Sequence, residues 1–459
     1  MAKKFQEKKV KYHLTDKGEF IIENYNYAKP LANFFPGIAG KYGIPMWLFY
    51  VNRGQAISCF GTDGKDSAIL EFQPANKAWQ QTSHLGFRTF IKLCNEKKDC
   101  FYEPFHNGIS SMIFDLHNQM AMTSSDLKLE ETNKTLGLYI KVEYFTIPED
   151  NFAGLARIVA IKNTSKKAKK IQLLDGLPRI VPYGIANLFL KKLSRTIEAW
   201  MRVENLDKNV AFYKVNVDPI DRPQVLHIKG GNFFLGFHYQ GKKTELIKPI
   251  VDPEQIFGPI NGFSFPRRLL STSKFKYPLK QQTQCKTPCG FILLDLNLKA
   301  GEEKTFYSVI GNAGSLELLN SSVVKKLTSS GYLEKKHAEN RKIIEDLQTD
   351  VQTKSSSCEF DYYCKQTYLD NVMRGGYPLV FSRPSCKTSG WSPPEAGKSE
   401  FPKTVFYLYS RKHGDLERDY NKFQVQPTYF SQGNGNYRDM NQNRRCDVWF
   451  NPEIQDFNI

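Results

Sequence analysis

Short apolar stretches alternate with polar positions from Tyr12 to about Ile310, among them GEFIIENYN, AISCFGTDG, LGLYIKVEYFTI, ARIVAIKN, KKIQLLDGL, NVAFYKVNV, NFFLGFHY, FILLDLNL and KTFYSVIG. Side chains alternate between the faces of a strand, so this rhythm predicts strands with one face turned to a core. Gly, Asn and Asp stand in the turns between the runs, and proline falls mostly outside them, as antiparallel pairing requires. The pattern predicts a large antiparallel β-sandwich over residues 1–312.

After GNAGS the period changes. The segment SLELLNSSVVKKLTSSGYLEKKHAENRKIIEDLQTDVQTKS places Leu316, Leu318, Leu319, Val323, Val324 and Leu327 on one helical face, with Ser315 as the N-cap, and reads as a helical linker over 313–352. A further helix is expected from Cys358, ended by Gly375, Gly376 and Pro378. The rest of 353–459 is irregular and polar. Neither an internal repeat nor a low-complexity tract interrupts the chain.

A chain of 459 residues exceeds the size at which one hydrophobic core stops growing, so more than one domain is expected. Hydrophobic residues make up 41% and aromatic residues 13%, which excludes a disordered chain, and runs such as IPMWLFYV are too short to span a bilayer. The basic N-terminus MAKKFQEKKVKYH has no apolar stretch behind it, so no secretory signal is expected and the provisional location is cytoplasmic. Nine irregularly spaced cysteines suit free thiols in a reducing compartment. The close pairs Cys285 with Cys289, Cys94 with Cys100, and Cys358 with Cys364 lack the doublets and histidines of a zinc site, so no metal is expected.

The net charge of +17 would suit a polyanion, but the basic residues are dispersed. Their densest cluster, Lys166, Lys167, Lys169 and Lys170, lies between two strand-like runs and reads as a solvated hairpin turn. Neither nucleic acid nor membrane is expected as a partner.

The run from Leu408 to Arg445, LYSRKHGDLERDYNKFQVQPTYFSQGNGNYRDMNQNRR, concentrates Arg, Asp, Asn, Gln and Tyr beyond what solubility needs. A guanidinium fork, a two-oxygen carboxylate and an amide that both donates and accepts can together read neighbouring hydroxyls, while Tyr420, Tyr429 and Tyr437 add flat apolar faces. The run is therefore a candidate polyol-binding surface. Within it, Asp415, Glu417 and Asp419 are better explained as ion-pair partners of Arg411, Lys412 and Arg418 than as a catalytic pair, and His413 as a loop hydrogen-bonder. NRGQ (Asn52 to Gln55), Trp47 and Trp79 could line a sugar-facing edge, but core or turn roles are commoner, and no role is assigned to them.

YSRKHGDLERDYN and PTYFSQGNGNYRDMNQNRR, with FFPGIAGKYGIPMWLFYVNRGQ and EFQPANKAWQQTSHLGFRTF upstream, resemble the inverting glycoside phosphorylases related to cellobiose phosphorylase. The resemblance is closest to the 1,2-β-oligoglucan phosphorylases and runs from about Tyr12 to Ile459, the N-terminal part of longer proteins. It implies a β-sandwich, linker helices and, over 353–459, the incomplete start of an (α/α) six-hairpin barrel. The implied reaction converts a β-linked glucose oligomer and inorganic phosphate, the co-substrate, into a shortened oligomer and α-glucose 1-phosphate, with no cofactor. A homo-oligomer is compatible with it.

Phosphorolysis needs one general acid, because phosphate itself attacks the anomeric carbon. Family members carry that acid in a WND-type loop, a string absent here, so the acid is expected beyond Ile459, with no catalytic residue in this chain and no activity from it alone. The resemblance carries over Tyr437, Arg438 and Asp439, the YRD string that grips the glucosyl unit. Gln432 stands where family members often have Arg, and Asn436 is a further candidate contact. Asn434, Gln442, Arg444 and Arg445 are second choices that could equally brace the loop. A non-catalytic carbohydrate-binding protein is the alternative, and a basic nucleic-acid binder a third reading.

Overall fold

The computed structural model describes residues 8–94, 99–106, 108–220, 223–240, 243–259, 262–381, 404–408 and 444–458. The chain divides into two compact units, Met1–Ile343 and Ile344–Ile459.

In the first unit eleven strands form one sheet whose middle runs Leu116–Met122, Leu127–Asn133, Leu138–Thr146, Ala153–Asn163, Glu303–Ala313 and Gly231–Gln240, each antiparallel to the next. A second sheet orders Pro249–Ile250, Gly290–Leu298, Lys169–Leu177, Arg88–Leu93 and Cys100–Tyr102, again antiparallel. A third has Ala32–Phe34, Met46–Val51, Ile57–Thr62 and Ala68–Leu70. Every apolar run singled out in the sequence contributes a strand, and the antiparallel β-rich architecture agrees with the alternation that predicted it.

One core joins all three sheets, with Leu129, Val142, Leu155 and Val159 from the large sheet, Ile91, Leu173 and Ile292 from the second, and Leu48, Ile57 and Phe60 from the third. Strand Leu127–Asn133 keeps strict alternation of buried and half-buried positions. Strand Ala153–Asn163 is buried almost throughout, because its other face is covered too. Ser315 caps the helical segment by accepting a 3.0 Å hydrogen bond from the Leu318 amide, as its position predicts. Leu319, Val323, Leu327 and Leu333 then pack on Phe145, Ala156, Phe233, Leu235 and Val309, so these helices form a third layer on the large sheet. On the far side of the second sheet, the short helices Glu254–Phe257 and Arg267–Ser271 bring Ile256, Phe257 and Leu269 onto Phe90, Leu174 and Phe291.

Two features differ from the sequence expectation. NTSKKAKK is no hairpin: Ala153–Asn163 belongs to the large sheet and Lys169–Leu177 to the second, so the turn carries the chain across the sandwich. The return crossing, from Gly290–Leu298 to Glu303–Ala313, lies beside it. Asn163, fully buried, fastens both: its Nδ2 donates to the carbonyls of Lys167 (2.8 Å), Leu298 (3.1 Å) and Lys299 (3.0 Å), and its Oδ1 accepts from Ser165 N and Oγ. The second difference is helix Ala75–Leu85, which packs against the third sheet through Ala78 and Thr82. Its apolar positions, Ala75, Ala78, Trp79 and Leu85, do recur at helical spacing.

Helix Tyr332–Gln348 meets the sheet through two carboxylates. Asp126 takes His337 Nε2 and, at 3.2 Å, Arg341, while the His337 ring stacks 4.4 Å from Phe145. Asp150 takes Lys326 at 2.6 Å, Lys336 at 3.0 Å and the Tyr332 hydroxyl. Positions 332 and 336, like 337 and 341, are one turn apart, so each carboxylate reads one helical face. Burial pushes the Asp126 carboxyl up, but the hydrogen bond and charge of His337, Ser125 and Arg341 outweigh it and hold the group below its ordinary value.

In the second unit, helix Cys358–Gly375 is capped by Ser357 and ends at Gly376, whose φ of 93° needs glycine. Strand Tyr377–Phe381 pairs with Thr404–Leu408, so Pro378 sits in a two-stranded ladder and not beyond the helix as a bare stop. A short helix Asp447–Phe450 follows.

Replacing Asn163 by Ala leaves the buried Leu298 carbonyl and the half-buried carbonyls of Lys167 and Lys299 without their shared donor, and we expect a loss of about 1–3 kcal/mol in urea unfolding, seen as a lower midpoint at unchanged slope. Because the Asp126 pKa is lower folded than unfolded, its contribution to helix docking is complete above the unfolded value of about 3.9 and disappears as pH falls through the lower folded value. Acid titration followed by amide exchange of Tyr332–Gln348 should show protection lost below about pH 4, and Asp126→Asn should flatten that dependence.

Candidate functional site

All five residues that the sequence marks for substrate, Gln432, Asn436, Tyr437, Arg438 and Asp439, lie outside the described residues, as do His413, Asp415, Glu417, Asp419, Asn434 and Gln442. The structure does describe the two flanks of that run, strand Thr404–Leu408 before it and Arg444 to Phe450 after it.

Those flanks meet in one buried cluster. The Arg444 guanidinium lies 3.5 Å from the centroid of the Tyr407 ring, and its Nε donates to the Gly375 carbonyl at 2.8 Å. Asp447 accepts from the Tyr407 hydroxyl at 2.8 Å and from Asn371 Nδ2 at 3.2 Å, and Asn458 Nδ2 donates to both Tyr407 (2.7 Å) and Asp447 (3.3 Å). Val405, Tyr407 and Ile454 supply the apolar floor.

Electrostatically this is a closed site. Burial raises the Asp447 carboxyl, and the hydrogen bonds from Tyr407 and Asn371 with the charge of Arg444 only partly offset it. Burial lowers the Arg444 guanidinium, against the pull of Tyr407 and Asp447. Arg444 is 4% exposed and Asp447 0%, so neither can meet a sugar polymer. Of the second-choice contacts, Arg444 is therefore a brace, and Arg445 is exposed. The cluster joins the chain entering the polar run at Leu408 to the chain leaving it at Arg444.

In the first unit, NRGQ is structural. Asn52 Nδ2 donates to the carbonyls of Tyr25 and Lys29, Arg53 donates to Ala28 and lies 4.6 Å over the Trp79 ring, and Gly54 adopts φ 53°. Trp47 is buried, with its indole N–H on the carbonyls of Thr62 and Gly64. Gln55 joins Arg157, Asp175, Thr89 and Tyr144 in a wholly buried polar network.

Sequence reasoning missed one concavity, an open groove of about 690 Å3 lined by Lys214, Asn216, His227, Lys229, Leu316 and Glu317. Its volume is of ligand size. No motif marks it, because its walls come from segments about a hundred residues apart. The eight described cysteines are free thiols, and no three His, Cys, Asp or Glu side chains among the described residues are placed to hold a metal. No helix among the described residues is long and apolar enough to cross a membrane.

No family model matches the chain, and no curated protein matches it. Among solved structures it is similar to a bacterial glucoamylase complexed with acarbose, at 11% identity and a TM-score of 0.38, covering 75% of this chain and 44% of that one. It is also similar to a candidate kojibiose phosphorylase from the human microbiome, at 10% identity and a TM-score of 0.27, covering 76% and 32%. A galactose mutarotase-like protein from Clostridium acetobutylicum aligns at 9% identity and a TM-score of 0.31, covering 66% and 98%. The chain thus spans less than half of the first two proteins.

Arg444→Ala should destabilise the second unit by about 2–4 kcal/mol, since it opens the stacking face of Tyr407 and strands the Gly375 carbonyl. Differential scanning calorimetry should place that loss in the second unit and leave the first unchanged.

Proposed function

We propose that the chain is the N-terminal portion of an inverting β-glucan phosphorylase acting on β-1,2-linked glucose oligomers. The observation that carries the reading is the YRD string, Tyr437, Arg438 and Asp439, set in a run dense in hydroxyl-reading side chains. The antiparallel β-rich first unit and the helices after it are compatible with the sandwich and linker of that family.

On this reading, residues from 353 onward begin an (α/α) barrel. Arg438 and Asp439 grip the glucosyl unit on the non-reducing side of the cleaved bond, the guanidinium donating to one hydroxyl and the carboxylate accepting from its neighbour. Tyr437, Gln432 and Asn436 complete that grip. Inorganic phosphate is the nucleophile, so the enzyme needs one general acid for the leaving oxygen and donors for the phosphate. Neither is assigned to this chain, which alone should not turn over substrate.

The test uses the complete gene product, with α-glucose 1-phosphate as donor and β-1,2-glucose oligomers as acceptors. Phosphate release with chain extension is expected, and none from the 459-residue chain. In the complete enzyme Asp439→Asn should lower kcat/KM by roughly 100-fold, about 2.7 kcal/mol of transition-state stabilisation, with the melting temperature nearly unchanged. Wild-type kinetics in that variant would make Asp439 a brace, and absence of phosphate release from the complete product would remove the phosphorylase reading.

A further inference from the structure

Residues 103–106 form a turn that is fastened by buried side chains. Phe105 adopts a left-handed φ of 63°, a conformation costly for an aromatic residue. Its N–H donates to Glu131 Oε1 at 3.0 Å and its carbonyl accepts from Asn26 Nδ2 at 2.9 Å. Glu131 is buried and also accepts from the Tyr102 hydroxyl at 2.5 Å and from Asn118 Nδ2 at 3.2 Å. Asn118 and Glu131 are direct cross-strand partners.

Two polar atoms beside this turn are buried and, among the described residues, have no hydrogen-bond partner: Nε2 of His106 and Oδ1 of Asn118. Their hydrogen-bonding characters are fixed by the other ends of the same groups. His106 Nδ1 accepts the Gly108 amide at 3.0 Å, so the neutral ring carries its proton on Nε2. A Cβ at position 108 would sit 2.7 Å from that Nδ1, so glycine lets the ring close on the amide. Asn118 Nδ2 is directed to Glu131, which leaves Oδ1 as an acceptor. A donor and an acceptor therefore lie unspent on the same side of the turn.

Between Lys8, Asn26, His106, Leu116 and Asn118 lies a cavity of about 10 Å3, the room one water molecule needs. A second cavity of about 10 Å3, between helix Ala75–Leu85 and strands Ile57–Thr62 and Ala68–Leu70, is lined by Ser58, Glu71, Gln81 and Thr82. Among the described residues, none of its lining side chains leaves a buried polar atom unpartnered. Volume alone does not separate the two. Unsatisfied polarity does, since each buried orphan costs about 1–3 kcal/mol unless a partner is supplied.

We propose that the cavity beside His106 is a specific site for one ordered water, which accepts from the His106 Nε2–H and donates to Asn118 Oδ1. This water completes a buried chain from His106 through Asn118 and Glu131 to Tyr102, and it is the third fastening of the left-handed Phe105 turn. Burial depresses the His106 pKa, in keeping with the neutral tautomer that such a bridge requires.

A crystal structure of the full chain at 1.8 Å or better should show one spherical density peak about 2.7–3.2 Å from both atoms. In solution, 15N spectra should assign His106 to the Nε2–H tautomer, with a magnetisation-exchange peak between that proton and a long-lived water. An empty cavity, the Nδ1–H tautomer, or an Asn118 amide turned to present Nδ2 would each overturn the proposal. His106→Leu should lose the peak. Density unchanged in that variant would show that His106 does not hold the water and would equally overturn the two-point bridge. The wild-type measurements decide the matter if the variant fails to fold.

Discussion

The sandwich is organised around the ion pair of Arg157 and Asp175, both with no exposed surface. Charges in such a place forfeit hydration, and removing one partner of a buried pair costs roughly 3–5 kcal/mol because the other is left uncompensated. Here neither is alone. Arg157 also reaches Gln55 Oε1 and the Tyr144 hydroxyl, and Thr89 Oγ1 donates to Asp175 at 2.6 Å while accepting from Gln55. Burial alone would lower the Arg157 pKa, yet the charge of Asp175 facing it holds the guanidinium above its ordinary value. Arg157 and Tyr144 come from the large sheet, Thr89 and Asp175 from the second, and Gln55 from the turn joining Met46–Val51 to Ile57–Thr62 of the third, so the network is satisfied only when those sheets are in place together.

That requirement fixes register. Arg157 stands opposite Tyr144 in the large sheet, and Asp175 opposite Thr89 in the second. Slipping Ala153–Asn163 by one residue would turn Arg157 to the outer face, where Leu319, Val323 and Leu327 pack, and leave Asp175 unpaired in the core. The apolar residues around it would tolerate such a slip far better, since Ala156, Ile158 and Ala160 are themselves apolar. Hydrophobic burial thus drives the layers together, and the polar centre selects one way of stacking them. Asn163 applies the same logic at the rim, where it ties the outgoing and returning crossings between two sheets.

Much of this was legible in the sequence, and what was not has a common cause. Alternation marks a strand locally, so runs such as LGLYIKVEYFTI could be read directly, as could the Ser315 cap and the Gly376 stop. Which sheet a strand joins depends on partners far along the chain. NTSKKAKK looks like a hairpin because its composition suits either kind of turn; the sheets that its flanking strands join, and the Asn163 contacts to Leu298 and Lys299, tell them apart. Gln55, Thr89, Arg157 and Asp175 carry no local signal as a group. Helix Ala75–Leu85 carries helical spacing at Ala75, Ala78, Trp79 and Leu85, but it is a short element set among strand-like runs.

The polar run illustrates a sharper limit. Composition can say that Arg, Asn and Tyr are able to hold hydroxyls, but a brace uses the same groups on backbone carbonyls and neighbouring rings. Arg444 resembled its candidate neighbours in sequence, yet its Nε is committed to Gly375 and its face to Tyr407. What separates the roles is where desolvation falls. A brace is dehydrated once, on folding, so its acceptors must come from the chain; a ligand contact keeps its water until the ligand supplies the acceptors. The Tyr407, Arg444 and Asp447 cluster commits the Arg444 Nε, the Tyr407 hydroxyl and the Asp447 carboxylate to partners within the chain. Sugar-reading roles in the run are then left to residues 409–443 and to the exposed Arg445, with this cluster joining the two ends of the run.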